Sequence, residues 1–134
     1  DEIRDSIHTD LAFSPKDIEL NNQKIAYLCK EIVESYDTII VPIISPFSRS
    51  RKLARKIIGV EFFEIYIKAS LGNVISRDVK GLYKKALAGE IDNFIGIDPI
   101  VPYEIPKFPD LTLDTNKEKI SESVTKLLKF IERI

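Results

Sequence analysis

Residues 38–44, Thr-Ile-Ile-Val-Pro-Ile-Ile, form an almost unbroken run of β-branched apolar side chains. A strand covered on both faces reads this way, because neither face alternates with polar residues, and such strands belong to parallel sheets flanked by helices. Pro42 has no N–H for a ladder, so it is expected near the end or edge of the strand. The segments on either side carry helical spacing, and strands alternating with helices predict an α/β fold with a mainly parallel sheet.

The helix before the run has a well-marked start. Ser14 can cap, Pro15 suits the first helical position and Asp17 adds negative charge in the first turn. Ile18, Ile25, Leu28, Ile32 and Val33 then recur at helical spacing until Tyr36-Asp37, and Cys29 falls on the apolar side as a small buried hydrophobe. After the run, Ser48 to Ile58 sets Arg49, Arg51, Lys52, Arg55 and Lys56 around Leu53, Ala54, Ile57 and Ile58, an amphipathic helix. A second strand is predicted over Phe62 to Ala69. Short helices are predicted from Ser70 or Asn73 to Arg77 and from Gly81 to Ala88, with Gly89 ending the latter. Leu111 to Leu113 reads as a strand, and Thr115-Asn116-Lys117-Glu118 as a capping box opening a last helix that carries Ile120, Val124, Leu127, Leu128 and Ile131 on one face. Between them Ile91 to Pro109 is a long loop, a candidate lid or binding loop by length alone.

Composition narrows the partners. The 134 residues suit a single domain, and 20 Lys plus Arg against 21 Asp plus Glu leave no overall attraction to nucleic acid or anionic lipid. One cysteine cannot form an internal disulfide, and no Cys and His set has zinc spacing, which points to a reducing cytoplasm. No apolar stretch is long enough to cross a bilayer. The start, Asp1-Glu2-Ile3-Arg4, lacks an initiator methionine and a signal-peptide layout, so the chain is expected to begin inside a longer sequence.

In open parallel sheets, ligands bind beyond the carboxyl ends of the strands. That rule directs attention to Ser45-Pro46-Phe47, to the basic segment Arg77 to Lys85, and to Asp114-Thr115. Arg77, Lys80, Lys84 and Lys85 beside Gly81 and Tyr83 have the composition that suits polyphosphate: arginine bonds two oxygens at once and lysine adds movable charge. A solvated helix start has the same composition.

The order of segments carries more. Asp1-Glu2-Ile3-Arg4, Asp10-Leu11-Ala12-Phe13-Ser14, Asn21, Ile44-Ser45-Pro46-Phe47, Asp78-Val79-Lys80-Gly81-Leu82-Tyr83-Lys84-Lys85-Ala86, Phe94-Ile95-Gly96-Ile97 and Pro102-Tyr103-Glu104-Ile105-Pro106 together resemble the adenylyl-sulfate kinase family nearly end to end. The resemblance implies a P-loop kinase-like three-layer fold. It also implies transfer of the γ-phosphoryl group of ATP, with Mg²⁺, to the ribose 3′-hydroxyl of adenylyl sulfate. Carried over by position, Asp1 lies near the acceptor hydroxyl and Arg4 grips the acceptor's anionic group. Phe13 and Phe94 sandwich its base, Asn21 binds beside it, and Ile44, Ser45 and Ile97 line its site. Lys80 serves catalysis from a lid of about residues 78–109, and Arg77, Lys84 and Thr115 fall on the ATP and lid side. Taken singly, Phe13 and Phe94 could be core aromatics, Asp1 and Arg4 a surface ion pair, and Asn21 an exposed helix residue. His8 has no catalytic role in this scheme. The family's habit also implies a homodimer acting on small-molecule nucleotides, with neither nucleic acid nor membrane as partner.

Two departures qualify the expectation. No Gly-x-x-x-x-Gly-Lys-Ser/Thr occurs in the 134 residues, so the first strand, the ATP-cradling loop and the first helix are expected upstream. The family's Asp-Arg-x-x-Asn reads Asp17-Ile18-Glu19-Leu20-Asn21 here. A lost arginine–anion bond is worth roughly 1.5 to 3 kcal/mol, about one to two orders of magnitude in affinity, and Ile18→Arg is expected to improve adenylyl sulfate use. Ile100-Val101 lengthens the lid relative to the family. A less anionic acceptor, cytidine diphosphoramidate in capsule biosynthesis, is the alternative within the family. A non-catalytic nucleotide-binding domain is the alternative outside it.

Overall fold

The computed structural model describes residues 11–134, in two compact units. The first comprises the described residues up to Phe62 together with Asp92–Ile105, and the second Phe63–Ile91 with Pro106–Ile134. The expected lid therefore divides between the units. Asp1, Arg4 and His8 lie outside the described residues.

In the first unit α1 spans Pro15–Ile32 and ends in a 3₁₀ turn, Val33–Ser35. Its start is the predicted one: the Asp17 N–H donates to Ser14 Oγ at 3.2 Å, and Ser14 Oγ donates to Asp17 Oδ2 at 2.7 Å. Helix α2 spans Ser48–Ile58 and packs on α1. Gly59, at φ 92°, ends α2 and returns its N–H to the Arg55 carbonyl at 2.9 Å. Ile18 and Cys29 are buried on α1 as the periodicity predicts, and Ala26 is buried with them. Ile18, Phe47 and Val101 form the core of this unit, with Ile95 against them.

The second unit holds β1, Ile65–Lys68, and β2, Leu111–Asp114, paired in parallel with Ile65 opposite Leu111 and Lys68 opposite Asp114. Helix α3, Leu71–Arg77, is capped by Ser70, whose Oγ accepts from the Asn73 N–H at 3.3 Å. Helix α4 spans Leu82–Leu87, and α5, Ile120–Ile131, packs on β2. Phe130 of α5 meets Phe63 edge-on at 5.6 Å between ring centres. No helix of the described residues is long and apolar enough to cross a membrane.

Two predicted elements are corrected, the second in both its start and its face. Residues 38–44 are extended but join no ladder, and Ile40, Val41 and Ile44 are exposed, because no strand among the described residues pairs with them. The last helix opens at Lys119, not Thr115. Thr115 is held on β1 by two bonds to the Lys68 carbonyl, and the Lys117 and Glu118 N–H groups donate to the Asp114 carbonyl, making a turn. The cap is instead the Lys119 N–H donating to Glu122 Oε2 at 2.7 Å. Finally, α5 turns Leu127, Phe130 and Ile131 inward, while Ile120, Val124 and Leu128 stay exposed.

Candidate functional site

All the expected acceptor residues within the described range, Phe13, Asn21, Ile44, Ser45, Phe94 and Ile97, belong to the first unit. Phe13 is exposed, one residue before the α1 cap, while Phe94 and Ile97 are partly buried in the 92–105 loop. The core beneath them ties the two segments together: Ile18 lies in the first turn of α1, and Ile95 and Val101 come from the loop.

That loop is not a free flap. Asp98 organises it, accepting from the Asn93 N–H at 3.2 Å and the Ile100 N–H at 3.0 Å, while the Gly96 N–H donates to the Val101 carbonyl at 2.9 Å. Gly96 stands at φ 81°, which glycine adopts without strain. Val101, read from the sequence as half of a lid insertion, is fully buried.

The residues at the end of the extended run are fixed from two sides. Asn22, buried on α1, donates its amide to Ser45 Oγ at 2.9 Å. Arg51, the one member of the basic α2 segment that is buried, donates to the Ser45 carbonyl at 2.7 Å, the Pro46 carbonyl at 3.2 Å and the Glu104 carbonyl at 2.7 Å. The Glu104 N–H donates to the Pro46 carbonyl at 2.9 Å, and the Ser48 N–H to Glu104 Oε2 at 2.6 Å. Ser45-Pro46 and Tyr103-Glu104 are thereby clamped together. Sequence reasoning missed Asn22, Arg51 and Asp98. Helical spacing carried a signal for Arg51, which shares the side of α2 that holds Ala54 and Ile58.

Ile18 is 3% exposed, so the position that an arginine holds in the family pattern is interior here. Ile18 packs with Phe47 and Val101, so Ile18→Arg sets the cost of removing this packing against the anion contact expected of it.

The second unit gathers the residues expected on the ATP and lid side at the carboxyl ends of β1 and β2 and on the segment after them. Arg77 donates to Thr115 Oγ1 at 3.0 Å and to the Thr115 carbonyl at 2.6 Å, and Thr115 Oγ1 donates to the Lys68 carbonyl at 3.0 Å. Lys68 pairs with Asp114 at 3.3 Å. Asn116 Oδ1 accepts from the Ser70 N–H at 2.9 Å and from Asn73 Nδ2 at 2.7 Å, closing the turn onto α3. Burial pushes the Asp114 carboxyl up, but its bonds to Lys68 and Asn116 outweigh that and hold it below the ordinary carboxylate range.

Asp78 starts α4 from outside. Its Oδ1 accepts from the Tyr83 N–H at 3.0 Å and its Oδ2 from the Lys84 N–H at 2.9 Å. Desolvation raises this carboxyl, yet the N–H groups of Lys84, Tyr83 and Leu82 together lower it below its usual value. The same negative charge, after burial, holds the Tyr83 phenol above its usual value. Gly81, at φ 67°, makes the turn that points the three N–H groups at Asp78, leaving Lys80 and Lys84 exposed.

Mg²⁺ in phosphoryl transfer travels with the ATP phosphates and takes one or two protein carboxylates. Among the described residues no group of three or more His, Cys, Asp or Glu could hold a metal ion by itself. These residues do not form a dedicated site for the ion.

The comparisons with known proteins agree with one another. The sequence model of the family described as Adenylylsulphate kinase matches residues 1–114. The adenylyl-sulfate kinase of Halothermothrix orenii is 42% identical over 132 residues, covering 98% of this chain and 70% of the relative. That of Phocaeicola vulgatus is 44% identical over 132 residues, covering 98% and 64%. Among solved structures, the Mycobacterium tuberculosis APS kinase in complex with AMPPNP and APS superposes with a TM-score of 0.90 at 36% identity, covering 98% of this chain and 76% of that one. The fold is therefore that of an α/β phosphotransferase with a parallel sheet. The chain belongs to the adenylylsulphate kinase family, and it spans 64% of the length of one of these relatives and 70% of the other.

Proposed function

We propose that the protein to which these residues belong transfers the γ-phosphoryl group of ATP to the ribose 3′-hydroxyl of adenylyl sulfate or a closely related nucleotide. The observation that supports this most is the likeness, at a TM-score of 0.90, to an APS kinase solved with AMPPNP and APS. In the reaction the acceptor oxygen forms a bond to the γ-phosphorus as the bridging bond to ADP breaks, and the hydroxyl proton passes to a carboxylate, the role given to Asp1 by position. The protein's work is positioning and neutralising charge. Ile44, Ser45, Phe94 and Ile97 offer the acceptor a surface with Phe13 and Asn21 beside it. Arg4 meets its anionic group, and Arg77, Lys80, Lys84 and Thr115 serve the phosphates and the lid of residues 78–109. Mg²⁺ supplies charge neutralisation with ATP. We take the 134 residues as part of one domain of a cytoplasmic homodimer that acts on nucleotides rather than on nucleic acid or membrane.

A second reading, cytidine diphosphoramidate as acceptor, has one observation in its favour: Ile18 is an interior apolar residue where the family pattern has arginine. The test is ADP release by the complete gene product with ATP and each acceptor in turn. Turnover with adenylyl sulfate supports the first reading, and turnover with the amidated nucleotide alone supports the second. No acceptor-dependent turnover, with nucleotide binding retained, identifies a non-catalytic binding domain.

A further inference from the structure

The basic residues of α2 differ sharply in setting. Arg49, Lys52, Arg55 and Lys56 are exposed, and Arg49 pairs with Glu19, whereas Arg51 is 9% exposed and bonds main-chain carbonyls of two segments far apart in sequence. Those segments are the ones an acceptor nucleotide would meet: the end of the extended run at Ile44-Ser45, and the loop that carries Phe94 and Ile97 and runs on to Glu104. A guanidinium has five N–H donors in a rigid plane, so it can hold carbonyls of both segments at a fixed separation; a lysine ammonium offers a single point of attachment on a flexible stem. Three charge-assisted hydrogen bonds to carbonyls hold the buried guanidinium in one orientation. The α2 side of the same junction adds the Ser48 N–H on Glu104 Oε2.

We infer that Arg51 is a positioning residue for the acceptor nucleotide, locking the Ser45-Pro46 turn to the Tyr103-Glu104 segment so that the acceptor meets a preformed edge. This rests on the nucleotide-kinase reading above. In this role Arg51 acts through the main chain of Ser45, Pro46 and Glu104.

The test uses the complete gene product with Arg51→Lys and Arg51→Met, measuring KM for the acceptor and for ATP separately, together with thermal stability. The expected result is an acceptor KM raised about tenfold or more with the ATP KM changed less than about twofold. Cys29→Ala, a truncation of a buried α1 residue to which no part of the site is assigned, serves as the stability control and is expected to lower the melting temperature without splitting the two KM values. If the Arg51 variants do not fold, Glu104→Gln loosens the clamp from its other side and is expected to raise the acceptor KM in the same direction by a smaller factor. Equal changes in both KM values, or a lower melting temperature with both KM values unchanged, overturn the inference. A wild-type protein with no acceptor-dependent turnover overturns the kinase reading instead, and with it the acceptor that Arg51 is inferred to serve.

Discussion

Asn22 and Ser45 are joined by a 2.9 Å hydrogen bond from the α1 amide to the Ser45 hydroxyl, across 23 positions of sequence. Asn22 is 6% exposed, so its amide has little access to water if the bond is lost. Ser45→Ala should therefore destabilise the chain by about 1 to 3 kcal/mol, the range for orphaning a buried polar group. Replacing both partners, Asn22→Leu with Ser45→Ala, should recover part of that loss. Urea unfolding of Ser45→Ala, Asn22→Leu and the double variant checks it, and additive losses would show that the bond contributes no coupling.

Ile18 fills the junction of α1, Phe47 and the 92–105 loop. Ile18→Val should cost about 0.5 to 1.5 kcal/mol, whereas Ile18→Arg should cost on the order of 3 to 5 kcal/mol as its charge is forced among apolar side chains. A folded Ile18→Arg protein with unchanged stability would mean that the side chain escapes to solvent or to an anion.

Asp78 gives a pH dependence of definite sign. Its folded pKa is lowered, so the stabilisation of α4 is present above the unfolded value, about 3.9, and is lost as pH falls through the folded value. The Tyr83 and Lys84 amide resonances should titrate with a midpoint below that of an ordinary aspartate. In Asp78→Ala the acid transition of these amides should vanish and α4 should fray at every pH. A midpoint at or above the ordinary value contradicts the capping role.

Lys80 is exposed, and nothing in the packing asks for a cation there. Lys80→Ala should leave stability within about 0.5 kcal/mol of wild type while lowering turnover of the complete gene product by about a hundredfold, as loss of one transition-state charge contact does. Parallel loss of stability and turnover would assign it a structural role.

What could be read from the sequence was local. Ser14-Pro15-Asp17 predicted the start of α1, the spacing of Leu53, Ala54, Ile57 and Ile58 predicted α2, Ser70 was one of two expected starts of α3, and Gly81 marked the start of α4, because caps and helical faces depend on neighbours three or four residues away. Residues 38–44 have the preference of a strand, but a ladder requires a partner chain segment, and preference alone does not supply one. Thr115 has the signature of a cap, yet its hydroxyl and N–H are taken by the Lys68 carbonyl, a contact between strands that no local pattern announces. Within the candidate site, the likeness of motifs pointed to Ser45 and Phe94. The residues that hold them in place, Asn22, Arg51 and Asp98, are defined only by packing.

The exposed Ile40, Val41 and Ile44 have a practical consequence. An apolar ribbon that joins no ladder among the described residues is a template on which a second ribbon can dock, and nothing charged interrupts it between Thr38 and Ile44. A preparation of these 134 residues by themselves should cloud with rising concentration, and a lysine at Ile40 should clear it.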